Sequence, residues 1–316
     1  MNILYGIQLN GNGHITRSIE IIRELRKRGY NVDILVSGEN SSIEIEHKFS
    51  FRGLKLINNQ RGGINWIKTI LKINPIRLII DINSINLSDY ILVISDFEPI
   101  STISAKINNI KSISISNQNT LINEKIGILQ RIFINMLSKC THRIGIDYFK
   151  SVDTIQPIIQ SDILFEVSEV SDKIVIYLPS YNIKDIISVI NETSESFIIY
   201  SNEFIKTNSD NIEIKKIDRD FFINDIRMCR GVITASGFST TSEALVLGKK
   251  LWSIPIKGQI EQRINSNKLS DLGIYTGDFN KRNIINWIDN YSAVDYEWEN
   301  PIDSLIEKII NIYNES

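Results

Sequence analysis

The chain has 316 residues and a mass of 36.2 kDa, about twice a typical single domain, so two compact domains are expected and one small binding module is excluded. Its 42% hydrophobic and 23% charged residues, with only 6 Pro, supply two cores and exclude disorder as the main state. The net charge of -2 gives no global attraction to nucleic acid, although residues 1–150 hold 19 basic against 12 acidic residues and the remainder holds 16 against 25.

Cys140 and Cys229 are the only cysteines, one in each half, which excludes a disulfide framework and a thiolate zinc cluster and points to a reducing compartment. The stretch Met1 to Ile7 lacks the basic start and long apolar region of a signal peptide, and no run approaches the ~18 apolar residues of a membrane span. A cytoplasmic protein is expected, at most peripheral on the inner face of a membrane.

In chain order, short apolar runs alternate with helical patterns, the signature of βαβ units around a parallel sheet. The first series predicts strands at Asn2–Ile7, Asn31–Val36, Tyr90–Ser95, Lys111–Ser116 and His142–Ile146, with helices near Ile15–Arg28, Ile64–Lys72, Pro99–Ile107 and Asn123–Lys139. The second predicts strands at Lys173–Leu178, Phe197–Tyr200, Ile212–Lys215, Gly231–Thr234 and Leu251–Ile254, with helices near Ile183–Asn191, Phe221–Cys229, Ser239–Leu247, Gln262–Leu272, Arg282–Asn290 and Ile302–Tyr313. The expected fold class is α/β: two Rossmann-like, doubly wound domains, 1–150 and 173–316, joined by a linker over 151–172 and facing a central cleft, with the last helix free to pack back on the first domain. Open α/β sheets bind ligands at the carboxyl ends of their strands.

After the first strand, Gly11-Asn12-Gly13-His14 precedes an amphipathic helix. Gly11 and Gly13 permit a tight turn that brings backbone amides toward a ligand, but the third glycine of a dinucleotide fingerprint is replaced by Thr16, which argues against a nicotinamide or flavin site. His14 is either a local helix cap or a general base, imidazole being the side chain that titrates nearest neutrality. The stretch Ser95-Asp96-Phe97-Glu98-Pro99 ends another strand at the same sheet edge. Asp96 is either the helix N-cap before Pro99 or the carboxylate that orients His14. A metal pair at Asp96 and Glu98 is disfavoured, since the strand-to-helix turn splays the two and no ligand histidine is near.

In the second half, Gly231 to Ala235 runs into Ser236-Gly237-Phe238-Ser239-Thr240-Thr241-Ser242-Glu243, a small-residue turn opening a helix. Free amides, the helix dipole and the hydroxyls of such a turn cradle phosphate. No Lys follows the glycine, so a nucleotide-hydrolysing P-loop is excluded. One strand later, Pro255 leads through Glu261 and Gln262 to Asn265, a polar loop suited to sugar hydroxyls.

Together these stretches resemble nucleotide-sugar glycosyltransferases of the GT-B fold, in particular the MurG-like and UDP-glucuronosyl(glucosyl)transferase-like family. The resemblance implies an acceptor domain first and a donor domain second. It implies His14 as catalytic base with Asp96 orienting it, and Gly237, Ser239, Thr240 and Thr241 at the pyrophosphate. Glu243 would then bind the ribose, Glu261 and Gln262 the donor sugar. It further implies an inverting, metal-independent transfer without cofactor, in which His14 deprotonates an acceptor hydroxyl, lipid-linked or on a glycan, in glycolipid or cell-surface polysaccharide synthesis. Ile126, Leu129, Ile132, Phe133, Met136 and Leu137, among Lys125, Arg131 and Lys139, offer either a core face or a peripheral membrane contact. The competing readings are a nucleotide-sugar hydrolase or epimerase on the same fold, and a non-catalytic binding subunit.

Overall fold

The computed structural model describes residues 2–40, 43–53, 74–165, 169–203, 205–207 and 209–315. It divides into two units, the first reaching Gln160 and resuming at Glu299, the second spanning Ser161–Trp298.

The first unit is a seven-stranded parallel sheet: β1 (Asn2–Asn10), β2 (Asn31–Asn40), β3 (Phe49–Phe51), β4 (Leu92–Asp96), β5 (Ser112–Ser116), β6 (His142–Ile146) and β7 (Thr154–Ile155), in the order β3-β2-β1-β4-β5-β6-β7. Ile3, Leu4, Tyr5 and Ile7 are buried on both faces of β1, as a central parallel strand requires. The crossovers are α1 (Asn12–Lys27), α2 (Pro75–Asn83), α3 (Pro99–Ile107) and α4 (Ile128–Leu137). Gly6 marks the closest approach of α3, where an added Cβ would overlap Ser101.

The second unit repeats the topology. Its strands β8 (Ile174–Tyr177), β9 (Phe197–Tyr200), β10 (Ile212–Lys215), β11 (Gly231–Ala235), β12 (Lys250–Ile254) and β13 (Tyr275–Thr276) run parallel in the order β10-β9-β8-β11-β12-β13. They are joined by α5 (Ile183–Ile190), α6 (Arg219–Met228), α7 (Phe238–Val246), α8 (Ile260–Asp271) and α9 (Lys281–Asn290). Ile176, Ile199, Ile233, Trp252 and Trp287 lie in its core. Each sheet reverses direction beside its first strand, β1 with β4 and β8 with β11, the crevice where doubly wound folds take ligands.

Several expectations need revision. α1 begins at Asn12, so His14 stands in the first turn of the helix and not on a preceding loop. The segment expected as linker supplies β7, paired with β6, and a short 3-10 helix at Ser161–Leu164. The helix expected over Asn123–Lys139 is shorter, α4 starting at Ile128 after its N-cap Gly127, and a 3-10 turn at Asn117–Asn123 precedes it. Phe133, Ile134 and Leu137 of α4 are buried, whereas Ile128, Ile132 and Met136 are exposed. The helix expected at Ile64–Lys72 lies outside the described residues. The last helix, α10 (Ile302–Asn314), packs on α1 in the first unit, with Arg28 donating to Asp303 at 2.5 Å.

Candidate active site

β1 and β4 are neighbours, with Ile7 beside Asp96, so the turn after one and the end of the other meet at one sheet edge. Gly11 caps α1 at a φ of 90°, a conformation L side chains rarely adopt, and lets the helix start immediately above the strand. Gly13 follows inside the first turn, where its carbonyl accepts from Thr16 at 3.2 Å. His14 and Asp96 then face each other with Nδ1 2.7 Å from Oδ1, both buried.

Two further residues of α1 join them. Arg17 donates from Nε to Asp96 Oδ2 and from its terminal nitrogen to Oδ1, each at 2.5 Å, and that terminal nitrogen stands 2.8 Å from His14 Nδ1. Ser18 adds a longer bond to Oδ2 at 3.3 Å. Spacings of three and four residues put His14, Arg17 and Ser18 on one helix face, a signal present in the sequence once His14 is given a helical position. Burial alone would raise the Asp96 carboxyl; the Arg17 charge and the His14 ring overcome it and hold Asp96 below its ordinary range, as an anion. With the proton on Nδ1, donating to this carboxylate, Nε2 keeps its lone pair.

Asp96 is not the helix cap. Glu98 takes that role, accepting from Ile100 N at 2.9 Å and Ser101 N at 2.7 Å, and its burial pushes the carboxyl up. Phe97 between them has a φ of 55°, a costly geometry for a side chain with Cβ. That twist sends Asp96 toward α1 and Glu98 into α3, and stacks the Phe97 ring on His14 with centroids 6.4 Å apart. The same splaying removes the metal-pair reading of Asp96 and Glu98. Among the described residues no group of three or more His, Cys, Asp or Glu could hold a metal ion.

In the second unit, β11 ends at Ala235 and α7 starts at Phe238, its N-cap Gly237 having no side chain to cap it. Gly237 has an ordinary φ of -71°, and an added Cβ would meet nothing within 4 Å, so neither backbone nor packing demands a glycine there. Ser239 and Thr240 are half-buried beside that space. Thr241 departs from the expected pyrophosphate contact: it is buried and its hydroxyl donates back to Gly237 O at 2.8 Å.

Glu243 is buried one turn further along α7. Arg219, at the start of α6, donates to its Oε1 at 3.0 Å, while Oε2 has no partner, and burial pushes the carboxyl up despite the arginine. A buried lone oxygen of this kind is a place for a ligand hydroxyl. Glu261 and Gln262 occupy the first turn of α8, half-buried; Gln262 Oε1 accepts from Ile256 N at 3.0 Å, which orients the side chain with its amide NH₂ as the donor for a ligand. Asn265 ties α8 to the turn before α7 through Ser236 O at 3.1 Å, and Ser253 bonds the Ser236 hydroxyl at 2.7 Å. Arg17, Ser18, Phe97, Arg219 and this Ser236 network were not singled out by the sequence.

The sequence profile of glycosyl transferase family 1 matches residues 1–291. Among curated protein sequences none matches the chain. Solved structures do: the glycotransferase of kitacinnamycin has a TM-score of 0.63 at 12% identity, covering 99% of this chain and 94% of its own. UGT89C1 of Arabidopsis thaliana, complexed with UDP, scores 0.60 at 14% identity over 98% of this chain and 94% of its own. The spinosyn rhamnosyltransferase SpnG scores 0.60 at 12% identity over 100% and 96%. These likenesses establish the two-sheet GT-B fold.

Proposed function

Because the chain belongs to glycosyl transferase family 1 and is a glycosyltransferase, we propose that it moves a sugar from a UDP-sugar to a hydroxyl acceptor with inversion at the anomeric carbon and without a metal. The observation that carries this reading is the buried His14–Asp96 pair clamped by Arg17. In the proposed reaction His14 Nε2 takes the acceptor proton, the acceptor oxygen forms the new bond to the anomeric carbon, and the bond to the UDP phosphate oxygen breaks with its electron pair. Asp96 stabilises the imidazolium that results. The helix start of α7, with Ser239 and Thr240, takes up the charge of the departing diphosphate in place of a cation. The lone oxygen of Glu243 accepts from the ribose, and Glu261 with the Gln262 amide reads the sugar.

The acceptor belongs, in this reading, to glycolipid or cell-surface polysaccharide synthesis on the cytoplasmic side of a membrane. Support comes from exposed Ile128, Ile132 and Met136 on α4, with Lys125, Arg131 and Lys139 alongside. No described helix is long and apolar enough to cross a membrane. Sedimentation with vesicles containing anionic lipid tests the contact: Ile132→Glu should abolish it.

The test of the whole reading is a panel of UDP-sugars incubated with hydroxyl acceptors, the anomeric configuration of the product being read by NMR. Inverted glycoside supports it. Free sugar as the sole product identifies a hydrolase, and binding without turnover a non-catalytic subunit.

A further inference from the structure

The carboxyl edge of the first sheet holds a second polar group that the transfer chemistry does not use. β5 ends in Ser116 and continues into Asn117, both buried. Ser116 pairs in register with Gly145, which brings Asn117 beside the end of β6, where its side-chain nitrogen donates to Ile146 O at 3.1 Å. That bond fixes the amide orientation. It leaves Asn117 Oδ1 and the Ser116 hydroxyl, one residue apart, without hydrogen-bond partners among the described residues. Asp147, also buried, follows on the next strand.

Leaving a polar atom buried and unpaired is costly, and here it happens twice in adjacent residues. The place is not arbitrary. β5 neighbours β4, with Ser95 beside Ser114, so Ser116 stands one residue beyond the level of Asp96. With strands about 4.8 Å apart and a rise of about 3.3 Å per residue, the two backbones are separated by roughly 6 Å, of the order of one pyranose ring. Alternation along the strands sends Asp96 and Ser116 to opposite faces, so a molecule reaching from His14, above Asp96, to Ser116 lies across the sheet edge.

We infer that Ser116 and Asn117 form an acceptor subsite, and that the acceptor is a saccharide; the inference rests on the glycosyl transfer proposed above. Asn117 Oδ1 can only accept, and so can the Asp147 carboxylate when ionised. The ligand must therefore donate, through hydroxyls additional to the one that reacts. A phosphate or carboxylate at this place finds a donor in the Ser116 hydroxyl alone and meets the lone pairs of Asn117 Oδ1 with its own. An aromatic aglycone leaves both oxygens as unpaired as they are now. A sugar ring, with hydroxyls on successive carbons, supplies donors at the required spacing.

Ser116→Ala tests this, because it deletes an unpaired atom and breaks no bond. A residue kept for folding loses stability on truncation, whereas one kept for a ligand does not. The experiment titrates methyl glycosides of common hexoses and N-acetylhexosamines into the UDP-saturated protein by calorimetry, alongside the Tm of each variant. The expected result is that at least one glycoside binds, that Ser116→Ala weakens it about tenfold, and that Tm and UDP affinity do not fall. Asn117→Leu should weaken the same glycoside at least as much. The inference is overturned if no glycoside binds the wild type, if both variants bind it as well as the wild type, or if Ser116→Ala lowers Tm, which would reveal a folding role. Loss of UDP binding in the wild type would instead count against the glycosyl-transfer reading itself. Transfer to a phenolic acceptor, unaffected by Ser116→Ala, would uphold that reading while removing the saccharide subsite.

Discussion

Arg17 holds both oxygens of Asp96 from 79 residues away in sequence, each at 2.5 Å, with both side chains buried. The pair is a planar, two-point clamp, which an arginine can make and a lysine cannot. It keeps Asp96 charged while leaving Oδ1 shared with His14.

Arg17→Gln should therefore destabilise the fold by about 3–5 kcal/mol, since it leaves a buried carboxylate with too few partners. The pH dependence follows from the sign of the shift. Asp96 lies below its ordinary value of 3.8 in the folded chain, so its contribution to stability is complete above that value and is lost as pH falls through the lower, native one. In Arg17→Gln the acid unfolding midpoint should move to higher pH, measured by circular dichroism. An unchanged midpoint would make the clamp incidental.

His14→Ala should lower kcat by about 10²–10⁴-fold with UDP affinity nearly unchanged, the donor residues lying in the other unit. Asp96→Asn should cost a similar amount or less. The double variant should be little worse than His14→Ala, because the two side chains act together. Additive losses in single-turnover assays would separate their roles.

The space at Gly237 makes a sharper probe of the donor site. Gly237→Ala should leave Tm unchanged, since neither φ nor packing opposes a Cβ there. If a diphosphate occupies the space, UDP affinity should fall by tenfold or more. Equal UDP binding by the variant would move the diphosphate elsewhere.

Much of the framework was legible in the sequence, because parallel strands buried on both faces read as short apolar runs. The edge strands β3, β7 and β13 escaped, being two or three residues long and without a period of their own. α2 escaped for a different reason: Ile76, Ile79 and Ile80 are exposed, so its apolar residues do not mark a buried face. Its N-cap at Asn74 before Pro75 was the readable sign. At the site, the Gly11-Gly13-His14 turn and the strand end at Asp96 were visible as local patterns. Arg17 was not, because a helix arginine usually faces solvent and only the distant Asp96 makes this one internal. The exchange of capping between Asp96 and Glu98 was readable in principle, since Pro99 at the first helical position makes Glu98 the residue before it.

Glu243→Gln should separate stability from binding. The folded chain raises the Glu243 carboxyl above its ordinary 4.5, so ionisation opposes folding as pH rises through the native value, and that penalty is absent below the unfolded one. The neutral amide removes it, and the variant should be as stable as the wild type or more so at neutral pH. UDP affinity should fall by about 1–3 kcal/mol as the ribose loses its charged acceptor. Tm and calorimetry on the same sample read both; undiminished UDP binding would detach Glu243 from the ribose.

Exhaustive chelation should leave turnover intact, since the proposed mechanism assigns the diphosphate charge to the start of α7. Complete loss, restored only by Mg²⁺ or Mn²⁺, would require a cation in the reaction. A small stimulation by added cation is compatible with faster release of UDP.

The placement of α10 bears on when the first unit is completed. Leu305, Ile306 and Ile309 cover α1, and Lys111 donates to the carbonyls of Ile312, Tyr313 and Glu315 at 2.9, 3.0 and 2.5 Å. During vectorial synthesis the first unit emerges from the ribosome first and yet waits for its last layer until the whole second unit has been translated. The helix that carries His14 and Arg17 thus gains its outer cover last.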